Sequence, residues 1–133
     1  MFKLKKEFTI SCSHRLNNNL ISKEANKELF GKCNNEPSHG HNYKIILTLK
    51  AEKTGKVSGM IMNFYDIKTI FNTYIDSVYD HQCLNNCPGF EKLVPTAENM
   101  CYVFYDKLKP WIEQLYSVEI YETDGASAIY EED

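Results

Sequence analysis

Polar and apolar positions alternate at both ends of this chain and switch to helical spacing in the middle. Over residues 3–14, Leu4, Phe8 and Ile10 stand among Lys5, Lys6 and Thr9, the period-two pattern of a half-buried strand, here ending at His14. Residues 41–52 repeat the pattern, with Tyr43, Ile45, Leu47 and Leu49 against Lys44, Thr48 and Lys50. Residues 15–38 read as a long loop holding a helical turn or two at Ser22 to Phe30, broken by Gly31, Asn34, Asn35 and Pro37. A loop of that length inside a small domain is usually functional. Thr54-Gly55-Lys56 turns the chain, and Met60 to Asn63 is expected to run extended.

From Tyr65 to Val78 the period becomes helical: Ile67, Ile70, Phe71, Tyr74, Ile75 and Val78 form one stripe, with Asp66 near the start. Residues 80–95, rich in Asn, Pro and Gly, read as loop. Thr96 is placed to N-cap a second helix with Glu98 in its first turn, favoured by the helix dipole. That helix carries Met100, Val103, Phe104, Leu108, Trp111, Ile112 and Leu115, and Pro110 must kink or divide it. Val118 to Glu122 and Ala126 to Tyr130 alternate as two strands across the Asp124-Gly125 turn. The order ββααββ predicts an α+β fold, a four-stranded antiparallel sheet with two helices on one face. Such a sheet leaves edges that must be covered, and edge-to-edge assembly of identical subunits into a barrel would cover them.

Composition narrows the class. A chain of 133 residues, 43% hydrophobic, suits one domain over 1–133 with a real core. Net charge is −3 and no basic run points to nucleic acid. No apolar stretch approaches membrane-spanning length, and the polar start Met1-Phe2-Lys3-Leu4-Lys5-Lys6 does not read as a signal peptide. Five unpatterned cysteines without an export signal predict free thiols in a reducing cytoplasm. Cys83-x-x-x-Cys87 is a lone near-miss for a paired metal motif, and Cys12 has no partner at metal-site spacing. Cys101, inside an apolar helical pattern, is expected to be a small hydrophobe.

The four histidines are not scattered: they fall at His14, at His39-Gly40-His41, and at Asp80-His81. Residues two apart on a strand share a face, so His39 and His41 can aim two imidazoles at one point. Gly40 between them is expected to admit close approach of backbone or ligand. A third nitrogen from His14 completes a three-histidine zinc site with one open position, the catalytic rather than the structural arrangement. An ion there would polarise a substrate hydroxyl or carbonyl as a Lewis acid. Cys33 is the candidate thiolate to take a proton from the adjacent carbon, provided a cation or metal lowers its pKa. In Asp80-His81 an acid can orient an imidazole, though adjacent side chains normally point apart and a turn must bring them together. Glu122, on a strand, can bind a two-donor heterocycle edge bidentately, and Glu36, three residues from His39, is a candidate second base. The blander readings are a loop cysteine at Cys33, a helix-end cap at Asp80-His81, and solvated acids at Glu36 and Glu122.

Lys32-Cys33-Asn34-Asn35-Glu36-Pro37-Ser38-His39-Gly40-His41-Asn42-Tyr43 resembles the signature of the 6-pyruvoyl-tetrahydropterin synthases. That group includes the 6-carboxy-tetrahydropterin synthases of queuosine biosynthesis. The Phe8-to-His14 strand, Gly59-Met60-Ile61-Met62-Asn63-Phe64, Asp80-His81-x-x-Leu84-Asn85, Pro95-Thr96-Ala97-Glu98-Asn99 and Tyr121-Glu122-Thr123 recur in the family's order. The resemblance implies the tunnelling fold (T-fold), with trimeric barrels stacked as a homo-hexamer and sites at subunit boundaries. It implies Zn2+ on His14, His39 and His41, Cys33 as the catalytic thiol, Asp80 and His81 as its proton relay, and Glu122 as the pterin anchor, with Thr96 beside the substrate. The implied substrate is 7,8-dihydroneopterin triphosphate, and the chemistry is zinc-assisted proton movement along its side chain. Glu36 departs from the animal-type pattern. A folate-pathway branch has such a glutamate without the cysteine and makes 6-hydroxymethyl-dihydropterin, so pyruvoyl, carboxy and hydroxymethyl products all stay open. A non-catalytic zinc- and pterin-binding paralogue is the alternative. Retention of Cys33, Asp80, His81 and Glu122 together argues against it.

Overall fold

The computed structural model describes residues 1–133. Four strands make one antiparallel sheet in chain order: β1 Phe2–His14, β2 His39–Ala51, β3 Leu115–Thr123 and β4 Ala126–Glu131. Helix α1 spans Lys23–Phe30, where the Ser22 hydroxyl accepts the Ala25 N–H. A 3₁₀ turn, Gly31–Asn34, follows and carries Cys33. Helix α2, Phe64–Phe71, starts on the Asn63 side chain and runs through a π turn, Asn72–Asp76, into a last turn, α3, at Ser77–Tyr79. Helix α4, Ala97–Leu108, starts where the Thr96 hydroxyl accepts the Asn99 N–H.

One sheet face packs on the helices. Ile10, Tyr43, Ile45, Leu47, Leu49, Val118 and Ile120 from the strands meet Ile67, Phe71, Ile75, Met100, Phe104 and Leu108, all buried. The Phe8 and Phe71 rings stack at 3.9 Å. Cys101 belongs to this core, and burial pushes its thiol up to about 12.

Three expectations need correction. Met60 to Asn63 forms no strand; Gly55 and Met60 close a loop, and Asn63 instead caps α2. Helix α4 does not reach Leu115. It stops at Leu108 ahead of Pro110, whose ring cannot join the ladder, so Trp111 lies outside the helix, 54% exposed and stacked on Tyr74. Gly40 is not sterically required within one chain, since a Cβ there would meet only the Cys12 carbonyl at 3.6 Å.

The outer strands β1 and β4 are open except at the C-terminal end of β1. There Asp80 to Gln82 pair with it: Ser11 N–H donates to the Asp80 carboxylate, His81 N–H to the Ser11 carbonyl, and Ser13 N–H to the Gln82 carbonyl. Phe2 on β1 and Ile129 on β4 are both about half exposed. No helix is long and apolar enough to cross a membrane.

Candidate active site

Antiparallel pairing places His14 of β1 directly opposite His39 of β2, and Cys12 opposite His41. Strand alternation turns all three imidazoles to the helix side of the sheet. Their Nε2 or Nδ1 atoms lie within 4.8 Å of one another, and His14 Nε2 is 3.0 Å from His39 Nε2. That is near the separation of about 3.3 Å expected for two nitrogens held tetrahedrally on one zinc.

The surroundings fit a metal. His14 is fully buried, and its Nδ1–H donates to the Pro95 carbonyl at 2.7 Å, which turns the lone pair of Nε2 toward His39. The tyrosine hydroxyl of Tyr43, itself buried, lies 3.2 Å from the same Nδ1. His41 Nε2 is buried with no hydrogen-bond partner. A polar atom in that condition costs about 1–3 kcal/mol unless something binds it. Burial holds the His14 and His41 imidazoles below the usual histidine range, which keeps them in the neutral, ligating form. His14, His39 and His41 could therefore hold a metal ion.

Glu122 is not a solvated strand-face charge. Its Oε1 lies 3.4 Å from His14 Nε2 and 3.6 Å from His41 Nε2, and its side chain is only 31% exposed. A carboxylate is thus set at the rim of the imidazole trio, still reachable from outside.

Asp80 and His81 do meet. His81 takes a left-handed backbone conformation, φ 61°, where the helical segment ends, and this folds its ring back onto its neighbour. His81 Nδ1–H donates to Asp80 Oδ2 at 2.8 Å, leaving Nε2 free and the ring exposed. The Ser11 N–H, and after it His81, hold the Asp80 carboxyl below the usual carboxylate range. The ring opens onto a cleft of about 390 Å³ lined by Ser11, Asn42, His41 and Gln82. Ser11 and Asn42 bond to each other on the sheet face away from the helices. Within one chain, then, His81 and His41 of the imidazole trio line the same cleft.

Cys33 is half-buried, and its carbonyl accepts the Leu16 N–H at 2.9 Å. Glu36 is mostly exposed and pairs with Arg15, 3.4 Å away. Thr96 spends its hydroxyl oxygen on the α4 cap. Three residues with no site role in the sequence reading hold the site together: Arg15, Asn34 and Asn85. Asn85 bonds both the N–H and the carbonyl of Arg15, at 2.8 Å each, and Arg15 Nε–H donates to the Asn34 carbonyl at 2.8 Å. Arg15 adjoins a ligand histidine, and Asn34 and Asn85 stand inside quoted motifs. Those positions were the available signal.

Residues 3–133 match the family model described as 6-pyruvoyl tetrahydropterin synthase. The chain is 38% identical to the human 6-pyruvoyl tetrahydrobiopterin synthase over 128 residues, 94% of this chain and 88% of that protein. It is 37% identical to the Dictyostelium discoideum protein of the same name over 122 residues, 90% of this chain and 88% of that one. A structure of Caenorhabditis elegans 6-pyruvoyl tetrahydropterin synthase superposes with a TM-score of 0.93 at 32% identity, covering 99% of this chain and 96% of that one.

Proposed function

This chain belongs to the 6-pyruvoyl tetrahydropterin synthase family, and we propose that it is a zinc-dependent lyase acting on the side chain of 7,8-dihydroneopterin triphosphate. The observation that carries this reading is the convergence of His14, His39 and His41 on one point, with His41 Nε2 buried and unpartnered beside the Glu122 carboxylate. Zinc is the ion that three imidazoles and an open position suit best. It would supply Lewis-acid polarisation of a substrate oxygen.

The chain's own residues do the rest. Glu122 accepts two N–H donors from the pterin edge and so fixes the ring. The Cys33 thiolate takes a proton from a side-chain carbon. Asp80 orients His81 so that its free Nε2 can accept or return a proton. Thr96 lies at the substrate through its place next to Pro95, whose carbonyl holds His14. The main product is 6-pyruvoyl-tetrahydropterin, on the path to tetrahydrobiopterin. The 6-carboxy product used for queuosine and the 6-hydroxymethyl product used for folate are the finer alternatives that Cys33 and Glu36 together allow. A cytoplasmic location suits five cysteines that are all unpaired.

Changing Glu122 to Leu is expected to weaken pterin binding at least about tenfold, because each charged hydrogen bond is worth roughly 1.5–3 kcal/mol. Calorimetry on protein of verified metal content checks this. Unchanged affinity would make Glu122 an ordinary acid.

The assembly we propose is a homo-hexamer, a dimer of trimers. Two open outer strands with exposed Phe2 and Ile129 favour pairing with copies of the chain. Cys33 makes no hydrogen bond to Asp80 or His81 within one chain, so in this assembly the thiol that serves the dyad is a neighbour's. Mixing the Cys33→Ala and His81→Ala variants, each impaired in tetrahydropterin formation, then unfolding and refolding them together, is expected to restore a measurable fraction of that activity. A stable, fully active monomer by light scattering, or no recovery in well-mixed oligomers, would refute the shared site.

A further inference from the structure

Arg15 is not among the metal ligands, the proton relay or the ring anchor, yet both its backbone and its side chain are tied into the site. Its N–H and carbonyl are both fastened to the Asn85 side chain at 2.8 Å. Its side chain, 22% exposed, sends Nε–H to the Asn34 carbonyl at 2.8 Å and places Nη2 3.4 Å from the Glu36 carboxylate. Asn34 is buried, and its own amide donates to the Leu16 carbonyl and to Asn17 Oδ1. Leu16 N–H in turn bonds the Cys33 carbonyl. The segment Cys33–Glu36 is therefore stitched to Arg15–Asn17, the three residues after His14.

The two candidate bases meet this stitching differently. Cys33 is held by its own carbonyl, which accepts the Leu16 N–H, and by the Arg15 side chain at the carbonyl of Asn34 after it. Glu36 is held only by its carboxylate, on a side chain 74% exposed. An exposed ion pair of this kind is weak, so it lowers the share of free Glu36 carboxylate a few-fold rather than removing it.

We propose that Arg15 is a positioning and specificity-determining residue: its guanidinium fixes the Cys33 loop through the Asn34 carbonyl and withholds the Glu36 carboxylate from the substrate. On the reading given under Proposed function, the wild-type chain then favours the Cys33-dependent tetrahydropterin, and loosening Arg15 releases Glu36 for side-chain cleavage. The two roles separate by substitution. Lysine keeps the charge beside Glu36 but lacks the Nε–H that reaches Asn34. Glutamine removes both the charge and the Nε–H, so its difference from lysine isolates the charge.

The test compares wild type, Arg15→Lys, Arg15→Gln and Arg15→Gln with Glu36→Ala, each at verified metal content. Products from 7,8-dihydroneopterin triphosphate are identified by mass spectrometry, and the rate of Cys33 alkylation by iodoacetamide is followed by peptide mapping. Arg15→Gln is expected to raise the share of 6-hydroxymethyl-dihydropterin about fivefold, the scale of an exposed ion pair, and the double variant is expected to lose that rise. Arg15→Lys is expected to speed alkylation of Cys33 several-fold while leaving the product ratio near wild type. An unchanged ratio in Arg15→Gln, or a rise that persists without Glu36, overturns the specificity role. An alkylation rate equal to wild type in Arg15→Lys overturns the clamp. If no variant turns the pterin over, the lyase reading fails instead, and the alkylation rates still decide the clamp.

Discussion

Replacing His39 with alanine is expected to empty the metal site and abolish activity in the same variant. His39 supplies one of three imidazoles and stands 3.0 Å, nitrogen to nitrogen, from His14. Without it, two ligands remain, and Glu122 Oε1 is the nearest replacement. Loss of an outer partner of a metal ligand costs roughly 10–100-fold in affinity or activity, and loss of a ligand itself should exceed that. The fold should survive, because His39 lies at the very start of β2 while the core begins at Tyr43. Elemental analysis with a circular dichroism control checks the result. Full metal occupancy in a folded His39→Ala protein would remove the site assignment.

The second large effect is at the thiol. Cys33→Ala is expected to lower formation of the tetrahydropterin by about 10²–10⁴-fold, the range for removal of a general base. It should spare whatever 6-hydroxymethyl-dihydropterin Glu36 supports. Glu36→Ala should do the reverse, and its effect is confined to the minor product, since Arg15 holds that carboxylate in the resting chain. Product-resolved rates by mass spectrometry separate the two. If Glu36→Ala leaves the wild-type product ratio untouched, Glu36 is a loop charge and the dual-product reading fails.

Much of the site was legible because strand alternation is a rigid rule. Once His39-Gly40-His41 opens an alternating run, the two rings must share a face, and β2 starts at His39 as that requires. Register is what the pattern did not contain. That His14 pairs with His39 rather than a neighbour follows from how β1 meets β2, and a slip by one residue would have sent its ring to the other side. The Asp80-His81 contact was similarly hidden. It depends on a left-handed backbone at a histidine, which only a weak local preference announces. The supports made by Arg15, Asn34 and Asn85 went unread because their partners are mostly backbone carbonyls and N–H groups, which every residue carries. The end of α4 shows the opposite error. Apolar spacing continued past Pro110 and was extended as helix, but Ile112 and Leu115 reach the core from a turn and a strand instead.

The pterin assignment and the metal assignment meet in one experiment. Purified protein carrying one zinc per chain is incubated with 7,8-dihydroneopterin triphosphate, and the pterin and the released phosphate are identified by mass spectrometry. The account predicts conversion to 6-pyruvoyl-tetrahydropterin with loss of the triphosphate group, abolished by chelation and restored by added zinc. Recovery of the substrate unchanged from fully metalled, folded protein, or equal turnover after the metal is stripped, would contradict it.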